Sequence, residues 1–175
     1  MSSGLLEVEP VVLRNLGDAF DCFEKHQQNI DYFVGWLDGF ATGSSLGRGV
    51  VHLARYLHEG EDPNPAVSLL PASQELPERI AGIVPKSWMW RFLKPFVNDR
   101  GIRCVNLAKY LGSRIHPDGH TYRQSLAAFS FLLDYVPGWK LSYGSGGLIQ
   151  YQSFIPKDRA REVFETLLLL SQERG

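Results

Sequence analysis

Residues 5–13 (LLEVEPVVL) alternate loosely between apolar and polar side chains and carry several valines, a pattern that predicts a strand. Pro10 has no backbone N–H to give to a ladder, which assigns this strand to a sheet edge. Residues 16–28 change to a helical spacing, with Asn15 as N-cap, Asp18 in the first turn and Ala19, Phe20 and Phe23 on the apolar side. Residues 31–40 (DYFVGWLDGF) return to an aromatic, strand-like pattern, and ATGSSLGRG reads as a loop leading to a partner strand over 50–57 (VVHLARYL). This β-α-β-β opening is half of a split βαβ sandwich.

The pattern then breaks. Residues 58–84 hold Pro63, Pro65, Pro71 and Pro77 among acids and amides, as a long surface excursion does. With the aromatic stretch 86–97, an amphipathic helix over 98–111 ending at Gly112 and a turn-rich run from Ser113 to Tyr122, the excursion covers 58–122. Residues 124–134 are apolar with no decisive period, and Pro137–Gly138 is a turn. YGSGG (143–147) predicts a tight turn into a strictly alternating strand, GLIQYQSFIP (147–156), which Pro156 stops. A helix follows over 158–172, with Asp158 as N-cap and Val163, Leu167 and Leu170 on one face. A terminal β-α unit calls for a further strand over that face, so the polypeptide is expected to continue past Gly175. The expected fold is α+β: one domain over 1–175, an antiparallel sheet with helices mainly on one face and a ferredoxin-like βαββ start.

Composition narrows the function classes. A net charge of -1 with 44% apolar residues argues against both a nucleic-acid binder and a disordered chain. No run approaches the roughly 20 apolar residues that span a bilayer. Met1–Pro10 lacks the basic start of a signal peptide, and the expected location is cytoplasmic. Cys22 and Cys104 are expected as buried free thiols.

Candidate chemistry is sparse. His52, His58, His116 and His120 fall in pairs, but Pro117–Gly119 breaks the helix that would align the second pair, and no third ligand stands out, so no metal is expected. YGSGG is not followed by a helix and has no P-loop lysine. Asp38 and Asp134 sit among apolar residues, where a carboxylate needs a partner, and Arg48 is placed to meet an acid or an anion. Gln150 and Gln152 share one face of an apolar strand. If that face is solvated they are surface residues; if it is the inner face, their amides suit a polyhydroxylated ligand.

Together, YFVGWLDGFATGSSLGRGV (32–50) and GLIQYQSFIP (147–156) resemble the substrate domain of FAD-linked oxidases of the vanillyl-alcohol oxidase superfamily, in particular the decaprenylphosphoryl-ribose oxidase-like group. The shared features are a Trp-x-Asp strand followed by a Gly-Arg-Gly loop, and a Gln-Tyr-Gln strand leading into Ile-Pro and a helix. The resemblance covers roughly residues 15–60 and 125–172. It implies a substrate-binding (cap) domain whose partner is an FAD-binding domain that this chain does not contain. Trp36, Gln150 and Gln152 would line the substrate side of the flavin. It implies hydride transfer from an alcohol carbon of a small-molecule substrate, such as a sugar hydroxyl, to the flavin. The group's lysine and tyrosine near the ring follow the last helix here, so no catalytic residue is assigned within the chain. The face turned to the flavin is expected to be apolar and aromatic, including Trp36 or Trp88, and able to drive self-association. The alternatives are a stand-alone ferredoxin-like ligand-binding or dimerisation module, and a small hydrolase for which no His–acid–nucleophile cluster is visible.

Overall fold

A computed structural model describes residues 2–76, 79–80, 84–115, 119–131, 138–146 and 151–174. The fold is α+β with a four-stranded antiparallel sheet. Strand β1 (Leu5–Leu13) leads into helix α1 (Leu16–His26), then β2 (Tyr32–Leu37) and β3 (Gly49–Tyr56). Short helices α2 (Pro65–Ser68) and α3 (Pro71–Gln74) follow, with a two-stranded ribbon of β4 (Arg79–Ile80) and β5 (Val84–Pro85). Continuous helical turns cover 86–96, centred on α4 (Met89–Leu93), before α5 (Asp99–Ser113). The chain closes with β6 (Tyr122–Ser125), α6 (Leu126–Ser130), 3-10 turns over Trp139–Gly146 and α7 (Lys157–Arg174).

The sheet order is β2-β3-β1-β6, the order of a ferredoxin-like sandwich. β1 is therefore an interior strand, which corrects the edge position expected from Pro10. Proline is tolerated because β6 has only four residues. Its end is tied to the start of β1, where the Leu126 N–H donates to the Gly4 carbonyl at 3.1 Å, so Pro10 lies beyond its reach.

The chain divides into two compact units, both discontinuous. One comprises Met1–Glu7, Tyr56–Val105 and Tyr122–Gln150. It is organised around the buried Asp62, whose carboxylate accepts from the Ser3 hydroxyl, from Ser68 Oγ at 2.6 Å and from the Asn64 N–H at 2.9 Å. Gln74 joins three segments: its Nε2 donates to the carbonyls of Gly4 (2.9 Å) and Ser68 (2.8 Å), and its Oε1 accepts from the Ala127 N–H at 3.2 Å.

The other unit comprises Val8–Arg55, Asn106–Thr121 and Tyr151–Gly175. α1 forms where the sequence puts it: Asn15 is extended and its side chain accepts from the Asp18 N–H at 3.0 Å. In the β2–β3 ladder Gly35 faces Val51, Trp36 faces Val50 and Val34 faces His52. Alternation turns Phe33 and Leu37 to the α1 side, where Leu13, Cys22, Val51 and Leu53 form the core. Burial of each such leucine or valine stabilises the fold by about 1.5–3 kcal/mol. Trp36, His52 and Ala54 belong to the opposite face.

Further expectations change. β2 ends at Leu37 rather than residue 40, because Asp38 turns inward. Residues 151–156, the described part of the expected 147–156 strand, are not in a strand. Tyr143–Gly146 belongs to 3-10 turns rather than to a tight turn. The sheltered side of α7 carries Ala160, Val163, Leu168 and Gln172, while Leu167 and Leu170 are 37% and 42% exposed. Asp158 sits inside the first turn of α7 instead of capping it from outside. Cys22 is buried as expected, but Cys104 is exposed; both are free. Asp134 and His116 lie outside the described residues.

Candidate functional site

The β2–β3 connection is built around Asp38, which is 1% exposed. Arg48 donates to its Oδ2 from Nε (3.0 Å) and from a terminal nitrogen (2.9 Å). Its Oδ1 accepts from Asn106 Nδ2 at 2.9 Å and from the Phe40 N–H at 3.1 Å. The backbones join too, the Asp38 N–H donating to the Arg48 carbonyl at 2.8 Å. Every lone-pair direction of the carboxylate is thus occupied, and the charge is matched by a forked guanidinium. Asp38 is a structural anchor with no free oxygen to take a proton from a substrate. Arg48 meets the acid, as its position suggested, and its guanidinium also lies 4.9 Å from the Tyr110 ring centre.

The glycines flanking Arg48 have separate physical reasons. Gly47 has φ +72, where a side chain is strained, and an added Cβ would come within 2.8 Å of Leu16 Cβ. Gly49 pairs with Leu37, and a Cβ there would collide with the Trp36 carbonyl. The Gly-Arg-Gly sequence is therefore what lets the loop turn, reach Asp38 and return against Trp36.

Trp36 stands half-buried at the end of β2. Lys109 of α5 lays its ammonium over the indole at 4.4 Å from the ring centre. Burial pushes the Lys109 amine below its ordinary value. His52, on the same face of the sheet, is also pushed down, first by burial and then by the Lys109 charge. The C-terminal half of α5 thus supplies Asn106, Lys109 and Tyr110, spaced at i, i+3 and i+4 on one helix face. Sequence reasoning did not single these out. The available signal was an asparagine, a lysine and a tyrosine sharing one side of an amphipathic helix. The arrangement can orient an electron-rich or anionic group against Trp36, with Lys109 as the cation.

Of the residues named from the resemblance, Trp36 is at this ledge. Gln152 is exposed in a segment that belongs to no strand. Gln150 lies outside the described residues. Of the histidines, His58 and His120 are exposed, and no group of three or more metal-ligating side chains exists among the described residues.

The α1 side of the sheet holds a cleft of about 560 Å³, lined by Phe20, Phe23, Phe33, Leu37, Val51 and Phe164. Gly35 leaves room in its floor, and Ile155 and Ala160 close one side. Phe20 meets Phe164 edge-on at 6.0 Å, and Phe23 meets Phe33 at 5.2 Å. Lys157 and Glu24 stand at the rim with Nζ and Oε1 3.9 Å apart.

No protein-family model matches the chain, and no curated protein matches it in sequence. No helix among the described residues is long and apolar enough to cross a membrane.

Proposed function

We propose that the chain is the substrate-binding (cap) portion of an FAD-dependent oxidoreductase that acts on an alcohol, with a sugar hydroxyl as the candidate group. The observation that carries this reading is the Trp36–Asp38–Gly47–Arg48–Gly49 assembly. The segment that resembles the flavin-linked oxidases forms a rigid ledge, and each of those residues has a part in presenting Trp36 beneath Lys109. Pre-organised aromatic and polar groups of this kind fix a substrate while a flavin takes the hydride. Trp36 positions the substrate and moves no proton, since an indole does not titrate near neutrality; Gln152, exposed and in no strand, is given no part in it. FAD would be held mainly by a separate FAD-binding domain. The test is anaerobic reduction of the flavin-loaded natural protein by a panel of sugar and aryl alcohols. Trp36→Ala should raise the substrate concentration needed for half-maximal reduction by about tenfold. An unchanged concentration dependence counts against the ledge as the substrate side.

Two observations favour a second reading, a stand-alone ferredoxin-like ligand-binding module. The sheet β2-β3-β1-β6 closes without residues 151–156, and the apolar cleft has the size of a small-molecule site. An apolar ligand in that cleft would shift the environment of Phe33 and Phe164, and in this reading Trp36→Ala leaves its affinity unchanged.

A further inference from the structure

The helical turns over 86–96 form a second surface, in the unit that does not contain Trp36. Trp88, Phe92 and Phe96 recur every four residues, so successive members are displaced by only about 40° around a helix. They are 55%, 59% and 47% exposed. Leu141, 56% exposed, lies beside Trp90 around Gly138, where the 139–146 turns pack on α4. Large aromatic side chains in such a row are not what a solvated helix presents.

The charges within these two segments are of one sign, Asp99 at the start of α5 being the next acid. From Arg79 to Asn98 the chain has no Asp or Glu, and none occurs between Gly138 and Gly146. Arg91, Lys94 and Lys140 are exposed in these segments. Arg91 stacks at 4.7 Å over the Trp90 ring, which keeps its stem on the apolar side and its charge at the edge. The chain as a whole is slightly acidic, at -1, so this local excess is not a consequence of overall composition. Tryptophan and phenylalanine at headgroup depth, with arginine and lysine at the rim, is the chemistry that holds a protein on an anionic bilayer without crossing it.

We propose that the 86–96 surface docks the protein on a membrane bearing anionic lipid headgroups, with Trp88, Phe92 and Phe96 inserted at the headgroup boundary. The experiment is co-sedimentation of the full chain with vesicles of phosphatidylcholine alone, and with vesicles carrying about one-third phosphatidylglycerol. The chain should partition at least about tenfold better onto the anionic vesicles, and less well at high salt. W88S/F92S/F96S should lose about tenfold or more of that partitioning, and R91E/K94E a similar factor on anionic vesicles only. Thermal denaturation establishes that the variants fold. If they do not, quenching of wild-type tryptophan fluorescence by brominated lipid decides: quenching supports insertion, and its absence overturns it. Equal partitioning onto neutral and anionic vesicles, or equal partitioning of wild type and folded variants, overturns the proposal. So does concentration-dependent self-association that the triple variant abolishes when no vesicle binding is seen, which would assign the surface to a protein contact.

Discussion

Two buried carboxylates organise the two units, and they are satisfied in different ways. Asp38 is matched by a guanidinium and by donors from the loop and from α5. Asp62 is held by two hydroxyls and one backbone N–H. The first arrangement ties a charge to a counter-charge, so removing one partner strands the other. The second leaves the anion stabilised by neutral donors, which pull its carboxyl below the usual range, with the Ser3 and Ser68 hydroxyls the main cause. The first hub is therefore sensitive to loss of its partner, and the Asp62 carboxylate is sensitive to acid.

The largest effect should come from breaking the first hub. Asp38→Ala leaves Arg48 and Asn106 without their shared acceptor in a mostly buried setting, and should lower unfolding free energy by about 3–5 kcal/mol in urea titration. A loss near zero would mean that the pair is solvated and the ledge is not rigid.

Next is the loop that delivers Arg48. Gly47→Ala forces a side chain into the left-handed region against Leu16, and should cost about 1–3 kcal/mol in the same titration. A smaller loss, about 1 kcal/mol, is expected for Gln172→Ala. That change removes the Nε2 bonds to the carbonyls of Gly39 (2.7 Å) and Ala41 (2.9 Å), by which α7 holds the segment after Asp38.

The second hub is probed by pH. Because the folded Asp62 carboxyl is depressed, its stabilisation is complete above the ordinary carboxylate value of about 3.9 and is lost as pH falls through the lower folded value. Asp62→Asn should flatten the acid limb of Tm against pH. Asp18, which Arg14 depresses in the same direction through a side-chain hydrogen bond, contributes to the same limb. An unchanged acid limb would contradict the depressed Asp62 carboxyl.

The parts of this account that were legible in sequence are those set locally. The βαββ opening follows from strand and helix periods and from an N-cap three residues before its donor. Asp38 and Arg48 were readable as a buried acid and an available cation ten residues apart. The Asn106–Asp38 bond was not, because it joins residues 68 apart through a helix whose register against the sheet no local pattern encodes. The alternation of 151–156 misled because period two describes a strand only when a ladder partner is present. Four consecutive leucines, Leu167–Leu170, carry no period, so the sheltered face of α7 could not be chosen from them. Cys104 shows the same limit: an apolar neighbourhood in sequence does not bury a helical residue whose side faces water.

The central claim is that this chain serves a flavin held by another domain. The most direct measurement is the intact mass and visible absorbance of the natural protein purified from its source without truncation. The account predicts a mass well above 19.7 kDa and a bound flavin spectrum. A colourless protein of that mass, unable to take up FAD with any partner, would contradict it and leave the ligand-binding module as the better description.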